Sequence, residues 1–155
     1  MIGDMSQTEW LDPTEMRLWR AFLASSSSVT STLDSELKAS TGISMDDYEM
    51  LVHLSEAPDE RLRMSELSTM LMHSKSRLTQ RVDRLVAKGW VERVKCDEDA
   101  RGTWAALTKD GMTAIKNAAP QHLQHVRENF IDHFTPEERN VVMAALERIA
   151  DIARD

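Results

Sequence analysis

Apolar residues recur at helical spacing over both ends of this chain and alternate strand-like only between residues 90 and 107. Leu11, Leu18, Phe22, Val29, Leu33 and Leu37 step by sevens and fours, which predicts one long helix from residue 12 to about 39. Asp12 suits its N-cap, Pro13 its first turn, and Glu15 the third position of a capping box, while Leu11 and Met16 have the spacing of a hydrophobic staple. The run Ser25 to Ser28 interrupts the stripe with small polar groups, which fits either a cavity or close helix approach there, or plain surface. Thr41-Gly42 ends the helix, since glycine accepts the left-handed C′ position.

A second helix, about 45–56 and capped by Ser44, is apolar around most of its circumference (Met45, Tyr48, Met50, Leu51, Val52, Leu54) and is expected at the centre of the fold. Asp46, Glu49, His53 and Glu56 form its polar strip, and residues 57–63 read as a loop opened by Pro58. A short third helix, about 64–71, turns Met64, Leu67 and Leu71 inward. Ser74 then caps a basic helix with Leu78, Val82, Leu85 and Val86 on one side and Arg77, Gln80, Arg81 and Arg84 on the other. Two short helices joined by a tight turn match a helix–turn–helix. Beyond Gly89, residues 90–95 alternate apolar and charged, 97–102 form a polar tip, and 103–107 return, making a hairpin wing. Thr108 caps a fifth helix whose stripe (Met112, Ile115, Ala119, Leu123, Val126, Phe130, Phe134) carries through Pro120, so one long kinked helix is expected. Thr135-Pro136-Glu137-Glu138 opens a last helix with Val142, Leu146 and Ile149 inward.

The fold expected is mainly α with a small antiparallel β wing. Residues 43–108 form a winged helix–turn–helix, and residues 1–42 with 109–155 form a helical dimerisation region of the same intertwined domain. The terminal stripes exceed what a small winged core covers, so a second copy of the chain is the expected partner; packing on their own domain is the other option. The net charge of −7 argues against nucleic acid until it is taken locally. Residues 74–102 hold eight basic and five acidic groups, a net of +3 on an otherwise acidic body. Arginine and glutamine pair with guanine and adenine edges in the major groove. A two-fold dimer with helices about 34 Å apart suits double-stranded DNA with a pseudo-palindromic site. A winged helix that binds protein is the alternative; outward arginines in place of apolar groups favour DNA.

Other classes find little support. Cys96 is the sole cysteine, so no internal disulfide is possible and a cytoplasmic setting is expected. There is no glycine-rich phosphate loop, and neither an enzyme nor a cofactor is indicated. No apolar run spans a membrane and the opening residues lack a signal's character. His122 and His125, three apart on a helix with His133 further on, read as surface residues and not as metal ligands.

The chain resembles the MarR family of bacterial transcription regulators through RMSELSTML, SKSRLTQRVDRL and KGWVER, the D-x-R-G wing signature at Asp99 to Gly102, and the L-T-x-x-G at Leu107 to Gly111. The resemblance implies a homodimer, usually a repressor, that loses DNA affinity when a small phenolic or carboxylate effector binds. It implies that Ser74, Ser76, Arg77, Gln80 and Arg81 meet phosphates and base edges, that Arg101 enters the minor groove, and that Asp99 pairs with an arginine at the wing's base. Arg84 and Lys95 complete the candidate DNA contacts. Trp19, Phe22, Ser26 and Tyr48 are candidates for an effector pocket between the first and second helices, against the plainer role of core aromatics. Some family members sense oxidants through an N-terminal cysteine; Cys96 lies at the wing instead, and redox or metal sensing stands as the lesser alternative.

Overall fold

A computed structural model describes residues 9–95 and 102–152. Helix α1 (Pro13–Thr41) starts on a capping box in which the Asp12 carboxylate accepts from the Thr14 and Glu15 amides while Glu15 accepts from the Asp12 amide. It ends at Gly42, which takes φ +72° and returns its N–H to the Lys38 carbonyl. Asp34 then accepts from the Met45 amide, fixing the angle between α1 and α2 (Met45–Glu56).

Helix α2 is the centre of the core, with Met50, Leu51 and Leu54 fully buried against Leu37, Leu67, Leu78, Val82 and Leu85. Residues 57–63, expected as loop, hold a 3-10 turn (Pro58–Glu60) and a strand, β1 (Arg61–Arg63). The strand forms because Leu62 packs on the core while both arginines stack over Trp104 at 5.0 and 5.2 Å. Helices α3 (Met64–Met70) and α4 (Lys75–Ala87) follow, then β2 (Val91–Lys95) and β3 (Thr103–Leu107). The sheet is antiparallel in the order β1-β3-β2, with Arg63 and Val94 flanking Trp104. Val86, expected on the core side of α4, is instead substantially exposed, because the α4 stripe closes at Leu85.

Helix α5 (Lys109–Asn129) is latched to the turn before β2: the Thr108 hydroxyl donates to the Gly89 carbonyl at 2.6 Å and its amide to the Trp90 carbonyl. Gly111 is required there, since a Cβ would stand 2.2 Å from the Trp90 carbonyl oxygen. Pro120 lies inside α5 as expected, but the helix stops at Asn129 and does not continue to Phe134. Residues Ile131–His133 form a 3-10 turn, which sets Phe130 and Phe134 edge to face at 5.1 Å. The buried face of α5 is Gly111, Ile115, Ala118 and His122, one position off the expected stripe, so Leu123 points outward. Helix α6 (Pro136–Ile152) opens on the Thr135–Glu138 capping box. No helix among the described residues is long and apolar enough to cross a membrane.

Candidate nucleic-acid interface

Helix α4 is seated by Leu78, Val82 and Leu85, all buried, and by Ser74, whose hydroxyl accepts from the Arg77 amide at 3.3 Å. The turn before it is closed by the Ser68 hydroxyl donating to the His73 carbonyl at 2.7 Å. Ser74, Ser76, Arg77, Gln80 and Arg84 are exposed on one side of this rigid support, and Lys95 is exposed at the end of β2. The wing is tied to α4 by Arg93, which donates to Asp83 at 2.5 Å. Asp99, Arg101 and Cys96 lie outside the described residues.

Arg81 departs from the expected outward face. Its side chain is buried, and its guanidinium donates to Asp46, in the first turn of α2. The cause is packing: α4 rests on α2, and position 81 falls within that contact beside Leu78, Val82 and Leu85. Asp46, though 47% of its side chain is exposed, is thereby tied to α4. The Arg81 hydrogen bond, reinforced by the positive charges of Arg81 and Arg77, holds its carboxyl below the usual range. Arg77 reaches the same carboxylate oxygen at 3.6 Å, and Arg84 reaches the buried Asp47 at 3.5 Å. His73, beside this cluster, is shifted down by burial and then by Arg81 and Arg77.

The structure brings three of the four expected effector residues together and leaves Tyr48 apart. Trp19 and Phe22 stack on each other at 6.0 Å, and Phe22 and Ser26 line an apolar cavity of about 340 Å³ with Val29, Phe130, Phe134, Val142 and Leu146. Tyr48 instead joins the core with Leu37, about 22 Å along α1 from Phe22 at 1.5 Å per residue. A second cavity of about 340 Å³ lies across the Phe130–Phe134 pair, against Met143 and Glu147. A more polar cavity of about 440 Å³ sits where α1, α5 and the turn before β2 meet, lined by Ser40, Thr41, Trp90, Asp110, Asn117 and Gln121 among others. No sequence signal pointed to it, because its lining comes from three separated segments.

His122 and His125 are not surface residues. His122 is buried and packs on Tyr48 at 4.7 Å, and burial, then the charge of His125, lowers its pKa. His125 faces Glu36 of α1 at 3.2 Å. Among the described residues no group of three or more histidine, cysteine or acidic side chains is arranged to hold a metal ion.

A family model described as MarR family matches residues 41–102. The fold superposes on AbsC of Streptomyces coelicolor, a MarR family transcriptional regulator, with a TM-score of 0.90 and 40% identity over 95% of this chain and 99% of that one. Sco3205 of the same organism, a MarR family transcriptional regulator crystallised in complex with DNA, gives a TM-score of 0.90 and 34% identity over 94% of this chain and 91% of that one. Transcriptional repressor MprA of Escherichia coli is 30% identical over 109 residues, 70% of this chain and 61% of its own. The chain spans about half to two-thirds of the length of the curated relatives it matches.

Proposed function

This chain belongs to the MarR family of transcriptional regulators, and from that premise we propose that it is a homodimeric, sequence-specific DNA-binding regulator whose α4 enters the major groove. The observation that carries the reading is the exposed face of Ser74, Ser76, Arg77, Gln80 and Arg84 on a helix anchored by a dry core. Those side chains suit phosphate and base edges, and the relative Sco3205 binds DNA on a closely similar frame. On this reading Lys95 and Arg101 extend the contact from the wing, with Asp99 orienting it, and the protein works in the cytoplasm.

Dimer formation is supported by the apolar surface that α1 and α6 leave uncovered: Leu18, Phe22, Leu23, Val141, Met143 and Ile149 are all exposed in the single chain. Repression is supported by the likeness to MprA. A small effector is favoured by the cavity beneath Trp90, which borders both the α1–α5 pair and the root of the wing. Salt titration of duplex binding tests the core of the proposal: log K should fall by about 0.9 per phosphate neutralised for each unit of log salt. A salt-independent response, or no duplex bound at low salt, overturns it.

A further inference from the structure

We propose that Asp46 is a positioning residue for base reading: pinned by the buried Arg81, its carboxylate holds the Arg77 guanidinium in the orientation that reads the groove. The inference rests on the DNA-reading role of α4 proposed above. One oxygen, Asp46 Oδ2, serves both arginines, and the two contacts differ in kind. Arg81 is buried with only 6% of its side chain exposed and hydrogen-bonds the carboxylate, so Asp46, itself 47% exposed, is anchored from its inner side. Arg77 is 58% exposed and approaches at 3.6 Å, an ion pair longer than a hydrogen bond, which leaves its other N–H groups free to face outward.

Arg77 is the third residue of α4, in the N-terminal part of a recognition helix from which base edges are contacted. An unrestrained arginine there loses much of its side-chain freedom when it forks onto a base, and a fixed carboxylate behind it removes part of that loss beforehand. Two turns further along α4, Arg84 pairs with the buried Asp47 at 3.5 Å. His73 and Glu49, the other titratable groups whose charges act on this cluster, complete its surroundings. Two side chains on different helices thus set the aim of a third.

The test uses two duplexes: a fragment that the protein selects from a random-sequence pool, and a mixed-sequence control. Arg81→Met replaces the buried charge by an apolar chain of similar length, so that Asp46→Asn can be added without stranding a buried cation. Relative to wild type, the double variant, which has lost the pinned carboxylate at no net change in charge, should bind the selected fragment about threefold to fivefold more weakly, the upper range for one exposed ion pair. It should bind the control equally. With Arg77→Ala also present, the loss on the selected fragment should vanish. Asp46→Glu, which keeps the charge for Arg81 but moves the carboxylate by a methylene, gives the same selective loss if R81M does not fold. A rise on both duplexes reduces Asp46 to a competitor for Arg77, and an equal fall on both reduces it to fold support; either overturns the inference. A wild-type protein that selects no sequence defeats the DNA-reading role itself, whereas selection without the Asp46 effect defeats this inference alone.

Discussion

The two ends of the chain and the segment between them solve the burial problem differently. Between Ile43 and Leu107 most of the described apolar residues find one another within the chain, and Met50, Leu51, Leu54, Leu67, Val82 and Leu85 are completely removed from water. The first half of α1 and nearly all of α6 have comparable apolar stripes, yet Leu18 is 72% exposed and Val141 71%. The winged segment is finished as a monomer; the terminal helices are not. Helix α4 sits on the finished part, so its orientation is set locally, while in the proposed dimer the spacing between two such helices depends on what covers α1 and α6.

The sharpest way to break that contrast is to charge the unfinished face. Leu146→Asp, which lines both cavities beside the Phe130–Phe134 pair, should shift sedimentation from dimer to monomer at micromolar concentration. The monomer should keep its helical circular dichroism but bind a palindromic duplex at least about a hundredfold more weakly, a hot-spot-sized loss. An unchanged sedimentation coefficient would remove α6 from the interface. Leu51→Ala, in the finished part, should instead lower unfolding free energy by about 2–5 kcal/mol in denaturant melts. Arg77→Ala should leave melting unchanged and cost about 1–3 kcal/mol on the selected duplex, with little change on mixed sequence. Equal losses on both duplexes would reassign Arg77 to phosphate contact.

The smallest effect concerns the seam between the two regions, where His122 of α5 packs on Tyr48 of α2. Burial depresses its pKa below the ordinary 6.5, so the folded state favours the neutral ring. Its contribution is complete above about pH 6.5 and is lost as pH falls toward the folded value, because the unfolded chain takes up the proton first. Thermal melts of the wild type against His122→Phe should therefore converge as the pH is lowered below that point. Parallel curves would show that His122 does not titrate with folding.

The helix borders were readable because capping chemistry is local: Asp12, Ser44, Ser74, Thr108 and Thr135 each mark a start with their own side chains. β1 was not, because three residues, Arg61-Leu62-Arg63, carry too short an alternation, and the strand owes its existence to Trp104 about forty residues away. The α5 stripe was misplaced by one position on both sides of Pro120, with Ala118 buried in place of Ala119 and His122 turned inward in place of Leu123; hydrophobicity alone favours leucine, whereas the structure seats the imidazole on Tyr48. Tyr48 parted from the other effector candidates for a similar reason, since it packs near the far end of the 29-residue α1 from Trp19.

By itself the sequence determined what local forces control: five of the helix starts, the glycine stops, the hairpin strands and the basic face of α4, all encoded within a few residues of where they act. Tertiary packing alone decided that Arg81 goes under the surface to Asp46, that Arg77 and Arg84 have acidic partners on α2, and that the polar cavity gathers around Trp90. Periodicity assigns a side chain to a face of its own helix. Which neighbouring helix that face meets, and with what charge, is a property of contacts between residues far apart in the chain.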